Sequence, residues 1–397
     1  MANMYDYISW RGDLPFEQSP FNPVDNIIFS QLAYLPLDGI VPGPGEQGGV
    51  SIAEAAGFFA EKQIDSPSFP GEDPMVKEAA GLIDVMGTAP RYRNCRLCGY
   101  VSQIDPSLEK QFSALSVMLS GKWGKGTLLV LYRGTDMSLV GWKESFNMSF
   151  NGSVPSQQEA VSYLEKMAER SGGPLLIAGH SKGGNLAIYA AAHCSPKTSS
   201  RISTIYSNDA PGFSKRTIKS KGYREISSRI QAFIPQSSLV GILFEHGVPP
   251  VIVKSTKTGP MQHILSSWEV TYNDMNRVEE LSKGSLLVEN ILNDWISGIE
   301  KTQRRQFIGA IYTILTATNA RSISDLTVSW FKSAGSIISS LKNIDDPTRK
   351  LIGKTIGDLF RAAGNSIKVQ RERPSNKPKK ITDRKSHGET APQPGKH

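Results

Sequence analysis

The chain has 397 residues, 39% hydrophobic and 8% aromatic, with a formal net charge of +8. That composition suits a globular protein with a sizeable core, and the absence of any run of eighteen apolar residues argues against a spanning helix. The first sixteen residues interleave Asp6, Trp10, Arg11 and Asp13, so no secretory leader is predicted and a cytoplasmic location is expected.

Charge is unevenly placed. Residues 368–397 hold nine Lys and Arg against three Asp and Glu, which leaves the rest of the chain close to neutral. No specific nucleic-acid surface follows from that distribution. The expected partner of the segment is water, with a weak contact to an anionic membrane surface as the sharper reading, because it has no apolar periodicity to bury. Cys95, Cys98 and Cys194 are too few and odd in number for a disulfide framework.

In chain order, residues 24–35 carry apolar positions at helical spacing and stop at Pro36, which predicts an amphipathic helix. Gly43 to Gly48 has the spacing of a dinucleotide-binding loop, but it follows a helix and Pro44 removes an N–H, so no cofactor is expected. Cys95 and Cys98 stand alone as a C-x-x-C pair and are read as packing residues, with no metal site. From about 112 to 256, strand-like runs at 127–132, 174–178, 202–206, 230–234 and 250–254 alternate with helical patterns at 157–170 and 184–193. This order predicts an α/β architecture with a mostly parallel sheet covered by helices. Leu287, Ile291, Trp295 and Ile299 begin a long helical stripe. The expected organisation is an extension over 1–21, an α/β domain over 22–274, a helical subdomain over 275–365 and a disordered basic tail over 366–397.

Gly179-His180-Ser181-Lys182-Gly183-Gly184 fits the Gly-x-Ser-x-Gly pattern and lies between a strand run and a helix run. The bare pattern is weak, but the strand-turn-helix setting is what a nucleophile elbow requires: a sharp turn that projects the serine above the sheet, with small neighbours so that strand and helix can approach. Ser181 is therefore the candidate nucleophile, and the helix starting at Lys182 would aim N–H groups at a developing oxyanion. A second donor is expected from the tight turn after the strand ending near Tyr132, with Thr135 favoured because both its N–H and its hydroxyl can donate.

Six histidines are available as a base. His180 is within the elbow with its side chain directed away from that of Ser181, His193 lies along the following helix, and His387 and His397 are in the tail. His263 follows the last strand run and is preferred to His246, which precedes it. The acid is open between Asp209, in the strand-end turn Ser207 to Gly212, and Glu245. Asp209 is preferred, against the alternative that it only caps its own turn.

Arg133-Gly134-Thr135 with Trp142, the elbow at 179–184, Gln262-His263 with Trp268, and Val24-Asp25-Asn26 with Ala33-Tyr34 together resemble a bacterial, Mbeg-like family of α/β-hydrolases distantly similar to class-three lipases. The resemblance covers roughly residues 22–270. It implies the α/β-hydrolase fold and, by likeness to class-three lipases, an oxyanion hole at Thr135 and Lys182. It departs in the acid, which such lipases carry just after the strand corresponding to 230–234, where this chain has Pro235 to Gly241 without a carboxylate. The expected activity is a serine esterase or lipase-like hydrolysis of a small acyl or lipid substrate, without metal or organic cofactor. Two alternatives stay open: a non-catalytic hydrolase-fold binding protein, and a serine acyltransferase.

Overall fold

Short polar side chains start the first two helices. Asn3 and Asn22 accept from N–H groups of the first turn while Asp6 and Asp25, three residues on, accept from the cap residue's own N–H, which satisfies donors that a helix start leaves orphaned. The computed structural model describes residues 1–65, 73–119, 126–135, 141, 144–145, 147–148, 153–282 and 284–286. The helical stripe from Leu287 onward and the basic tail lie outside the described residues.

The elements run α1 (Met4–Arg11), α2 (Pro23–Leu32), β1 (Val50–Ser51), α3 (Ile52–Asp65), α4 (Pro74–Thr88), β2 (Arg96–Asp105), β3 (Lys110–Met118) and β4 (Leu128–Tyr132). They continue with α5 (Pro155–Glu169), β5 (Leu175–His180), α6 (Lys182–His193), α7 (Pro196–Ser199), β6 (Ile202–Asn208), α8 (Lys215–Ile218), α9 (Lys221–Ile226), β7 (Ile230–Pro235), β8 (Val251–Val253), β9 (Val270–Thr271) and β10 (Asp274–Met275). One sheet takes β1 to β8 in chain order. Its first four strands pair antiparallel, and β4 to β8 pair parallel, with helices crossing between successive strands from β4 to β7 and a helix-free loop joining β7 to β8. The parallel strands expected from the apolar runs are all present, within a residue or two at their ends. The antiparallel β2–β3 pair is an addition to the sequence reading.

Strand alternation divides the core between the two faces. Leu129, Leu131, Leu176 and Ala178 join a cluster with α1 to α4, whereas Leu128, Val130, Tyr132, Leu175 and Ile177 join one with α5 and α6. Met4, Tyr7 and Ile8 are buried in the first cluster, so the segment expected as an extension packs into the same core as the sheet. Cys95 and Cys98 are buried as packing residues, and burial pushes their thiols up to about 12 and about 11. No described helix is long and apolar enough to cross a membrane.

A buried ion pair ties α2 to the turn that follows α4. Arg91 Nε donates to Asp25 Oδ1 at 2.8 Å and Nη2 donates to Asp25 Oδ2 at 2.6 Å; both side chains are fully buried. Its Nη1 is taken by the carbonyls of Leu14 and Ser19, and Tyr92 Oη donates to the same carboxylate. Removing one partner strands a buried charge. Arg91→Leu is expected to lose about 3–5 kcal/mol of unfolding free energy, read by denaturant titration. A loss below about 1 kcal/mol would show that water reaches the carboxylate and replaces the guanidinium.

Candidate active site

Four neighbouring parallel strands deliver their carboxyl ends to one place, where the crevice of an open α/β sheet forms. Gly134 follows β4, Ser181 follows β5, Asp209 follows β6 and the loop 236–241 follows β7; His263 comes from the 3-10 turn Gly259–His263 beyond β8.

Ser181 occupies the turn between β5 and α6 with φ 56° and ψ −129°, a left-handed conformation that side chains rarely adopt. Hydrogen bonds from Ser181 N to Asn208 O at 2.9 Å and from Gly184 N to Ser181 O at 3.0 Å hold it there. The flanking glycines are required by space. A Cβ on Gly179 would overlap the carbonyl of Gly183, and one on Gly183 would overlap the carbonyl of Tyr132 at the end of β4. Beneath the turn, Asn208 and Asn26 exchange side-chain hydrogen bonds at 2.8 and 3.0 Å, and Asn208 Nδ2 also reaches Gly179 O at 3.1 Å. All three groups are buried, so the elbow rests on a satisfied polar floor that ties it to α2.

Asp209 also has positive φ, 42°, which turns its side chain back over the strand ends. The carboxylate is 1% exposed. Its Oδ1 accepts from Ser238 Oγ and from Gly241 N at 3.0 Å, and its Oδ2 lies 2.6 Å from His263 Nδ1. Those partners come from outside the turn 207–212, so Asp209 does more than cap its own backbone. A carboxylate can only accept, so the proton of a neutral His263 is on Nδ1 and the lone pair is on Nε2. The structure thus brings two of the sequence-nominated residues, 54 positions apart, into direct contact. Ser181 lies beside them through its neighbour, since the His180 and His263 rings are 4.3 Å apart between centroids. Among the described residues no hydrogen bond joins Ser181 Oγ to His263, a contact that in free enzymes often tightens only with substrate.

The competing candidates point elsewhere. Glu245 is half exposed and pairs with Lys215 at 3.1 Å. His246 Nε2 is 2.7 Å from Gly241 O, and burial holds its pKa below the usual histidine value.

At the oxyanion side, a Cβ on Gly134 would lie 3.0 Å from Ser181 Cβ, which puts the turn before Thr135 directly against the elbow. Ser145 Oγ donates to Gly141 O at 2.8 Å, so at the 2.6 Å contact between Thr135 Oγ1 and Ser145 Oγ the threonine is the donor. The hydroxyl of Thr135 is thereby engaged with Ser145. The Lys182 side chain turns inward: it is 1% exposed, donates to Gln111 O and to Gln111 Oε1 at 2.6 Å, and pairs with Glu144 Oε2 at 3.0 Å. Glu144 also accepts from Gln111 N and Ser156 N, both at 2.9 Å.

Sequence reasoning did not single out Glu144, and it assigned no role to Tyr34 or to His180, which it placed within the elbow but set aside as the base. A lysine placed next to the elbow, as the one Lys or Arg of a helix rich in alanine and other apolar residues, was the available signal for a buried counter-charge. No group of three or more metal-ligating side chains is present among the described residues.

A sheet with parallel strands β4 to β8, a strained serine turn between strand and helix, and a carboxylate–histidine pair at the same strand ends define the α/β-hydrolase fold. The chain belongs to the Mbeg1-like family, whose pattern matches residues 86–313. Among solved structures it is similar to M37 lipase, at 12% identity over 55% of this chain and 69% of that one with a TM-score of 0.29. It is also similar to Rhizomucor miehei lipase in a propeptide complex, at 13% identity over 56% and 77% with a TM-score of 0.32. No curated protein matches the chain.

Proposed function

We propose that this chain is a serine-dependent acyl hydrolase that cleaves a carboxylic ester or related small acyl or lipid substrate through an acyl-enzyme. The observation that carries the reading is the 2.6 Å contact of Asp209 Oδ2 with His263 Nδ1 beside the strained Ser181 turn. Ser181 Oγ attacks the carbonyl carbon while His263 Nε2 takes its proton. Asp209 holds the Nδ1–H tautomer and stabilises the imidazolium that forms. The N–H groups of Thr135 and Lys182 bind the oxyanion, each contributing on the order of a hundredfold to a thousandfold in rate. Collapse of the tetrahedral intermediate breaks the bond to the leaving group, which takes the proton from His263. Water then repeats the sequence on the acyl-enzyme and regenerates Ser181.

The orienting carboxylate comes from the end of β6, although the resemblance to class-three lipases would have placed it after β7. In its place the β7 loop supplies Ser238 and Gly241, which bind the free oxygen of Asp209. The function of that slot is divided between two adjacent strand ends.

A fluorophosphonate probe should label the native protein at a single site, and peptide mapping should locate the adduct on Ser181. A native chain that takes up no label, or takes it up elsewhere, overturns the reading. Added alcohol during ester turnover distinguishes hydrolysis from acyl transfer: free acid as the main product supports the hydrolase.

A further inference from the structure

Two side chains beside the elbow take no part in the steps above. His180, the last residue of β5, is fully buried, and its ring packs on that of His263 with 4.3 Å between centroids and a 39° tilt. Its Nε2 lies 2.9 Å from the main-chain oxygen of His263. A carbonyl only accepts, so Nε2 carries the proton. The neutral ring then offers Nδ1 as an acceptor, and Tyr34 Oη lies 2.7 Å from it. Tyr34 is itself 2% exposed and follows α2. Its hydroxyl also sits against Gly134, where a Cβ would overlap it. Burial, reinforced by the neighbouring His263, holds His180 well below the usual histidine pKa and keeps it uncharged.

We propose that Tyr34 and His180 form a positioning relay, Tyr34 Oη–H to His180 Nδ1 and His180 Nε2–H to His263 O, that fixes the main chain and ring plane of the base. The proposal rests on the reading of His263 as that base. An imidazole held only through Nδ1 can still swing about its side-chain torsions and move with its loop. Asp209 grips the ring from the end of β6, and His180 grips the backbone of the same residue from the end of β5. Two anchors from adjacent parallel strands leave His263 little freedom, and the second also spaces it from the elbow, since His180 precedes Ser181. The relay must stay neutral. A cationic ring 4.3 Å from His263 would oppose the proton that the base has to accept.

A simple packing role for His180 makes the opposite prediction about which replacement is tolerated. His180→Phe keeps an aromatic ring and loses both hydrogen bonds. His180→Gln loses the ring and keeps an amide donor that can reach His263 O. Displacement of a reacting group by about 1 Å costs on the order of a hundredfold, so His180→Phe should lower kcat by roughly that factor with KM little changed. His180→Gln should recover about tenfold of the loss, and Tyr34→Phe should fall between wild type and His180→Phe. Equal or better turnover in His180→Phe than in His180→Gln, or wild-type kcat in His180→Phe, overturns the relay.

A readout without turnover separates this proposal from the catalytic reading. Imidazole 15N spectra of the full chain should show His180 as the Nε2–H tautomer with a slowly exchanging proton. His180→Phe and Tyr34→Phe should each shift or broaden the His263 Nδ1–H signal. An unchanged His263 signal in both variants, or an Nδ1–H tautomer at His180, overturns the relay whether or not the protein hydrolyses esters. Absence of labelling at Ser181 with the expected spectra would sink the catalytic reading alone.

Discussion

Ser181→Ala is expected to lower ester turnover by roughly a millionfold, the scale of removing a serine nucleophile from such a constellation. The loss should leave the fold intact, because the serine's main-chain bonds to Asn208 and Gly184 do not involve its hydroxyl. Backbone strain adds a second, opposite-signed expectation. At φ 56° and ψ −129° a residue with a Cβ costs about 1–3 kcal/mol. Glycine removes that cost and adds about 0.5–1 kcal/mol of unfolded-state entropy. Ser181→Gly should therefore be inactive and more stable than the native chain by about 1 kcal/mol, whereas Ser181→Ala should be inactive with nearly native stability. Paired kcat and thermal unfolding measurements check both. Turnover retained in Ser181→Ala would remove the nucleophile assignment, and a glycine variant that melts lower than the alanine variant would show that the turn is relaxed.

What the sequence makes legible in this protein is what is encoded locally. Leu175 to Ala178 is an unbroken apolar run followed at once by the glycine and serine of the elbow, so strand, turn and helix can be read together, and the parallel strands at 202–208 and 230–235 follow from apolar-rich runs bounded by turn residues. The β2–β3 pair is harder. β3 is buried at nearly every position, which erases the two-residue alternation, and its turn uses Glu109 at φ 50° where a glycine would have announced it. α1 carries Met4, Tyr7 and Ile8 at helical spacing, but eight residues at a terminus look like an extension until their burial is seen.

Side-chain partners are less legible still. Lys182 and Glu144 are separated by 38 residues, and nothing in the intervening pattern predicts that the lysine turns into the interior. Tyr34 and His180 are 146 residues apart. Asp209 could be nominated because it sits at a strand end on the same edge as Ser181. The same position favours it over Glu245, but its positive-φ turn and its contact with His263 are visible only in three dimensions.

Asp209→Asn should lower turnover by about ten-thousandfold while melting close to the native chain, and the geometry says why the two effects separate. Asparagine keeps one oxygen, which can still accept from Ser238 Oγ and Gly241 N, so the buried donors of the β7 loop remain satisfied and stability changes little. Its amide then faces His263 Nδ1 with a donor in place of an acceptor. The imidazole answers by moving its proton to Nε2, which leaves no lone pair for the Ser181 hydroxyl. That tautomer change, and the loss of the charge that stabilises the imidazolium, together account for on the order of 5 kcal/mol of transition-state free energy in serine hydrolases. Glu245→Gln provides the contrast. Its carboxylate is half exposed on Lys215, an interaction worth at most about 1 kcal/mol, whereas His263 Nδ1 is taken by Asp209. Turnover should be unchanged in that variant. Ser238→Ala removes one donor from the carboxylate but leaves Gly241 and His263 in place, so its activity should fall about tenfold or less, the scale of one hydrogen bond. A near-native rate in Asp209→Asn would sink the assignment of the acid, a matching collapse in Glu245→Gln would transfer it there, and a loss of fold in Asp209→Asn at native specific rate per folded molecule would leave the carboxylate a structural strut between β6 and β7.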